Sequence, residues 1–255
     1  MEFTTTGPAG ARDGHVAIDL RCGSYESALA DVGQVDAVIV DPPYSLRTHK
    51  GHNSTIHGHH GKKHDGAKRL PLRYEYWTRE DVRAFCRFWV PRCRGWIVAL
   101  SDSDLSPVWR DVLSRLGMYS FAPVPCVMTG MTVRLGGDGP SSWSVFANVA
   151  RPKTREMVTW GTTPGAYLGT PANRSLPDET ITGGKPRWLM RALIRDYSRP
   201  GDLICDPCAG GGTTLIAAAI EGRRAVGSEL HRPTFERARD RIAHGYTPLL
   251  PGLAM

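Results

Sequence analysis

Two short runs in this sequence carry residue types that could do chemistry together. The first, Asp41-Pro42-Pro43-Tyr44, closes the β-branched run Val35-Asp36-Ala37-Val38-Ile39-Val40. That run is too short for a helix and reads as a buried strand stopped by prolines. Two prolines remove two backbone donors and hold the chain extended, which leaves the Pro42 carbonyl outside any ladder and beside the Asp41 carboxylate. Two acceptors side by side suit a target with two N–H donors, that is, an amino group. Tyr44 adds a flat face on which a ring can stack. The competing reading is a proline stop followed by an ordinary core tyrosine.

The second run is Asp206-Pro207-Cys208-Ala209-Gly210-Gly211-Gly212-Thr213-Thr214, placed between a strand and a helix. Glycines there let a ligand approach the backbone, and a helix N-terminus offers free N–H groups. Glu229 ends the next strand, 17 residues beyond Gly212, where a carboxylate can accept from both hydroxyls of a ribose. The loop has neither the phosphate-gripping lysine nor the dinucleotide fingerprint, so a nucleoside without phosphates fits better than ATP or NAD.

Around these runs the pattern alternates between strands and helices. Thr78 caps a helix to Trp89, with Asp81 at its third position and Val82, Phe85 and Trp89 at helical spacing. Residues 96–100 form a second buried strand, and residues 104–116 a helix closed by Gly117. Residues 121–128 and 143–149 read as antiparallel edge strands, and residues 151–184 offer little regular structure. Pro186 opens a helix to Tyr197, and 198–201 is a turn. Residues 203–205 form a strand ending at Asp206, and a helix over 213–221 is stopped by Gly222. A strand over 224–228 ends at Glu229, and Pro233 begins a last helix with Phe235, Ala238 and Ile242 on one face. This alternation predicts an α/β fold, a doubly wound and mostly parallel sheet with helices on both faces. The 255 residues suit one domain. Within it we expect a catalytic half near 15–150, a short recognition or linker region near 151–184, and a cofactor-binding half near 185–245.

The formal charge of +7 is concentrated: residues 47–73 carry Arg47, Lys50, Lys62, Lys63, Lys68, Arg69 and Arg73 against Asp65 alone. A localised basic strip suits a polyanion. The same segment, read as a mobile loop over 45–71, holds His49, His52, His57, His59, His60 and His64. Their spacings fit no closed four-ligand set, and no metal is expected. A clamp over a phosphate backbone and a solvated loop without a role both remain open for it. Arg187, Arg191 and Arg195 form a stripe that reads first as an exposed helix face. The six cysteines are scattered, which suits free thiols and a cytoplasmic location. Neither a membrane span nor a signal-peptide layout is visible.

Taken together, 35–44, Gly184-Lys185-Pro186, 200–214 and 222–229 resemble, in order, the S-adenosylmethionine-dependent DNA amino-methyltransferases acting on adenine N6 or cytosine N4, in their beta arrangement. Cys208 stands where the family usually has phenylalanine, Gly211 where serine is common, and Gly23-Ser24 where Gly-Asp is frequent. The resemblance implies a Rossmann-like methyltransferase fold with a small, loop-rich target-recognition region. Asp41, Pro42, Pro43 and Tyr44 would be catalytic. Lys185, Pro186, Asp206, Pro207, Cys208, Ala209, Gly210, Gly212, Thr213, Thr214 and Glu229 would bind S-adenosyl-L-methionine. Arg47, Lys50, Lys62, Lys63, Lys68 and Arg69 would contact DNA. The expected reaction is methylation of adenine N6 in a flipped-out nucleotide, with cytosine N4 as the runner-up, ahead of an RNA base or a non-catalytic DNA-binding subunit. DNA is the expected partner, and a homodimer is among the expected assemblies.

Overall fold

The computed structural model describes residues 17–53, 75–130, 142–171 and 184–244. Among them, nine strands form one sheet. The run read as a buried strand is β2 (Val35–Val40), which pairs in parallel with β3 (Cys93–Ser101) on one side and β8 (Leu203–Asp206) on the other. Beyond β8 lie β9 (Arg224–Glu229) and, at the edge, β1 (Ile18–Cys22), both parallel. Beyond β3 the sheet turns antiparallel through β6 (Ser144–Arg151) and β5 (Val124–Met128), and β7 (Tyr167–Gly169) closes that edge. The short β4 (Tyr119–Ser120) also pairs with β6.

Strand alternation divides the core between the two faces. Ala37, Ile39, Trp96, Val98 and Leu100 point to one, under α6 (Arg187–Tyr197) and α7 (Thr213–Ile220). Val38, Val40, Ile97 and Ala99 point to the other, under α3 (Arg79–Trp89) and α4 (Ser106–Arg115). Val35 shares that second face although its parity matches Ala37, because the register with β3 shifts between them. The α3 start is the capping box expected from Thr78 and Asp81: each side chain bonds the other's backbone N–H. α8 (Arg232–His244) follows β9 and packs against β1 and β9. Among the described residues no helix is long and apolar enough to cross a membrane.

The sequence reading needs correction in four places. The segment expected to be loop from residue 45 begins with a helix, α2 (Leu46–Asn53), and its remainder to residue 71 lies outside the described residues. β6 is not an edge strand but lies between β3 and β5. The stretch 151–184 contains α5 (Arg155–Val158) as well as β7. β1 and the short α1 (Tyr25–Ala28) were not anticipated. The main consequence for function lies at the centre. The chain winds from β2 to β3 in one direction, and β8 and β9 lie on the other side of β2. β2 and β8 therefore flank the switch point, with both carboxyl ends opening on one crevice.

Candidate active site at the switch point

Asp41 is the first residue past β2, and Asp206 is the last of β8, with Val38 opposite Cys205 in the shared register. Neighbouring parallel strands thus deliver the two sequence runs to one place. Both oxygens of the Asp41 carboxylate are engaged: Tyr44 Oη donates to Oδ1 at 2.9 Å and Lys185 Nζ to Oδ2 at 2.6 Å. The Lys185 ammonium also lies 4.8 Å from the centroid of the Tyr44 ring. The Asp41 and Lys185 side chains are only 21% and 10% exposed.

The turn after Tyr44 is tied down by Asp102, at the end of β3. Its Oδ2 accepts from Ser45 N at 2.9 Å, Ser45 Oγ at 2.6 Å and Thr48 Oγ1 at 2.5 Å, and its Oδ1 accepts from Leu105 N at 3.0 Å. These bonds hold the first turn of α2, a helix that a Gly- and His-rich sequence does not announce. Trp77 N closes the other side of the corner on the Tyr44 carbonyl at 3.0 Å.

In the glycine loop, Gly210 and Gly212 are left-handed, with φ of +51° and +76°. A Cβ on Gly210 would meet nothing closer than 3.9 Å, so the backbone there is open to a ligand, whereas one on Gly212 would press on Ile242 of α8. Ala209 N bonds Ser228 O at 2.8 Å, Ser228 Oγ bonds the Pro207 carbonyl at 3.0 Å, and Arg241 Nη1 reaches Gly211 O and Thr213 Oγ1. Pro186 occupies the N-cap of α6, its carbonyl accepting from Leu189 and Met190.

Three carboxylates meet here. Asp206 is 1% exposed, and burial pushes its pKa up to about 7. Bonds from Thr214 and the Cys208 amide oppose the rise, while the charges of Asp41 and Glu229 add to it. Glu229 accepts from Gly210 N at 3.0 Å and His231 N at 2.8 Å, and burial raises its pKa too. Each Glu229 oxygen retains a second lone pair for a hydroxyl. Leu230, next in the chain, is 73% exposed. Burial also raises the Cys208 thiol well above its ordinary range, so it is not a thiolate.

Of the residues expected to contact DNA, Arg47 and Lys50 lie on α2, where Arg47 pairs with Asp104 at 3.3 Å. Lys62, Lys63, Lys68 and Arg69 lie outside the described residues. The arginine stripe has a structural partner: Arg191 and Arg195 both grip Glu221 at the end of α7, at 2.6 and 2.9 Å. Gly23 continues β1 beside β9, its N–H bonding Glu229 O at 3.0 Å, and Ser24 stands at the N-cap of α1. Sequence reasoning missed two features. One is the Asp102 anchor, for which an acid directly after a buried strand was the only signal. The other is the reach of Lys185 to Asp41, for which spacing along the chain gives no signal.

Sheet order, helices on both faces and a crevice at the switch point define the class: a doubly wound, Rossmann-like methyltransferase fold. The same fold is seen in M1.HpyAVI, solved with SAM, with a TM-score of 0.63, 17% identity, and coverage of 88% of this chain and 99% of that one. PvuII DNA methyltransferase, described as cytosine-N4-specific, aligns with a TM-score of 0.61 and 13% identity over 95% of this chain and 92% of its own. Residues 129–240 match the model of the DNA methylase family N6_N4_Mtase. In sequence, the chain is 37% identical over 70 residues to the DNA adenine methyltransferase YhdJ of Escherichia coli (strain K12), 27% of this chain and 24% of that protein. Such alignments span less than a third of the curated relatives, 29%, 22% and 24% of three of them.

Proposed function

We propose that the chain transfers a methyl group from S-adenosyl-L-methionine to the exocyclic N6 amine of adenine in DNA. The observation that carries this reading is the convergence of Asp41 and the 206–214 loop on neighbouring strand ends. The residues present fit the cofactor. The open backbone at Gly210 admits a close approach, and Glu229 has lone pairs to spare for ribose hydroxyls. Exposed Leu230 offers an apolar face for a ring. Asp206, Pro207, Cys208, Ala209, Gly212, Thr213, Thr214 and Pro186 line or support the same loop.

The cofactor would supply an electrophilic methyl on a cationic sulfur. An amine conjugated with a heteroaromatic ring has little lone-pair density, and acceptance of its two N–H bonds by the Asp41 carboxylate and the Pro42 carbonyl localises that pair. Attack by the nitrogen would form the N–C bond as the C–S bond breaks, leaving a neutral thioether, and the extra proton on the methylated amine would pass to solvent. Alignment does most of the work, worth about 7–11 kcal/mol for a well-oriented pair. A base inside a duplex cannot reach the crevice, so it must be flipped out. Tyr44 would stack against it, at roughly 1–3 kcal/mol per base. Pro43 keeps that ring one residue beyond the acceptors. Arg47, Lys50, Lys62, Lys63, Lys68 and Arg69 would hold the flanking phosphates.

The second reading, cytosine N4, uses the same chemistry, and PvuII DNA methyltransferase, described as cytosine-N4-specific, shares the fold. Asp at position 41 leans toward adenine, because in the family that the sequence resembles a serine there tends to accompany cytosine. The test is transfer of a labelled methyl to DNA, digestion to nucleosides and chromatography. N6-methyladenine is expected, and N4-methylcytosine would replace the first reading by the second. Asp41→Ala should abolish transfer while cofactor binding persists, and full activity in that variant would remove the mechanism.

A further inference from the structure

We propose that Lys185 is a positioning residue for transfer, its ammonium setting the orientation of the Asp41 carboxylate and bracing the Tyr44 ring. The inference rests on the reading of Asp41 as acceptor for the target amine. It departs from the expectation that Lys185 serves the cofactor, and geometry is the reason. Lys185 Nζ sits 2.6 Å from Asp41 Oδ2 and 4.8 Å from the centre of the Tyr44 ring, so both contacts of its charged end belong to the target half of the crevice.

Burial makes the pairing consequential. With 10% of its side chain exposed, an unpaired ammonium would be costly to keep, and the ion pair with Asp41 compensates it. The ammonium also springs from a rigid base. The next residue, Pro186, is the N-cap of α6, whose Leu189, Met190 and Leu193 are fully buried against the sheet. Asp41, by contrast, is the first residue beyond its strand and could turn about its side-chain torsions. Tying Oδ2 to a rigid cation removes that freedom and leaves Oδ1 as the oxygen that faces a hydrogen-bond donor. Tyr44 Oη holds Oδ1 in this state; a carboxylate oxygen accepts more than one bond, so an arriving amine can share or displace it.

Charge leads to the same assignment. A lysine close to a cationic sulfur would repel it. Paired with Asp41, it offsets one of the three carboxylates gathered at the crevice, and Asp206 and Glu229 remain beside the glycine loop.

The experiment compares the wild-type chain with Lys185→Met and Lys185→Arg, reading kcat and KM for DNA by labelled-methyl transfer and S-adenosylmethionine affinity by calorimetry. Lys185→Met should lose kcat by about 100-fold, the penalty typical of a reacting group misplaced by about 1 Å. Cofactor affinity should stay close to wild type, and Lys185→Arg, which keeps a cation, should recover much of the loss. The proposal is overturned if Lys185→Met turns over normally, if cofactor affinity falls as far as kcat, or if arginine is no better than methionine. Should Lys185→Met fail to fold, Lys185→Gln reads the same split. A wild-type chain that transfers no methyl to DNA overturns the proposed function itself, whereas a transferring wild type with an indifferent Lys185 overturns only this inference.

Discussion

Replacing Asp206 by asparagine should change how the stability of the protein depends on pH, in a direction the structure dictates. Asp206 is 1% exposed and its pKa stands at about 7 in the fold, against 3.8 for a free aspartate. Between those values the folded chain binds a proton that the unfolded chain has released. Stability therefore falls as pH rises across this window: the contribution is complete below about 3.8 and lost on passing 7. A shift of this size corresponds to roughly 4 kcal/mol, at about 1.36 kcal/mol per unit, and deep burial leaves little solvent screening to reduce it. Asparagine does not titrate but can still accept the Cys208 amide. Chemical-denaturation midpoints of wild type and Asp206→Asn, measured from pH 4.5 to 8.5, isolate the effect, because titrating groups not coupled to Asp206 cancel in the difference. The wild type should lose ground to the variant by several kcal/mol over that range, most steeply midway between 3.8 and 7 and levelling off above 7. Asp41→Asn removes one of the like charges that raise this pKa, so it should lower the pH at which the loss levels off. Parallel curves for wild type and Asp206→Asn would refute the burial argument. A levelling-off point unmoved by Asp41→Asn would refute the electrostatic contact between the two strand ends.

Two further substitutions test the supports of the site. In Gly227→Ala, the new Cβ would lie 2.6 Å from the Asp206 carbonyl and 3.1 Å from both Leu215 methyls, so β8 or α7 must shift. A loss of about 1–3 kcal/mol in denaturation, with weakened cofactor binding, is expected. Asp102→Ala removes the acceptor of three bonds from Ser45 and Thr48. It should lower kcat for DNA while leaving calorimetric cofactor affinity unchanged, and an equal loss in both would show that Asp102 supports the whole sheet rather than the Tyr44 corner.

What could be read from the sequence follows from where the physics is local. β2, β8 and β9 were legible because buried apolar runs ended at Asp41, Asp206 and Glu229, each marked by proline, glycine or charge. The α3 capping box was legible because both of its partners lie within four residues. β1 was not, because Ile18 and Leu20 alternate with Asp19 and Arg21 over only five residues, and its pairing partner β9 lies some two hundred residues away. α2 escaped for a related reason: its first turn is held by Asp102, more than fifty residues on, against a Gly- and His-rich local sequence. Lys185 is the sharpest case. Its place next to Pro186 pointed to the cofactor half, yet its ammonium crosses 144 positions in the chain to Asp41. Residue types and spacing were enough to nominate the two halves of the crevice, because each half is a short motif at a strand end. The charge that joins them is set by how α6 packs under β2 and β3, a long-range matter that no run of neighbouring residues encodes.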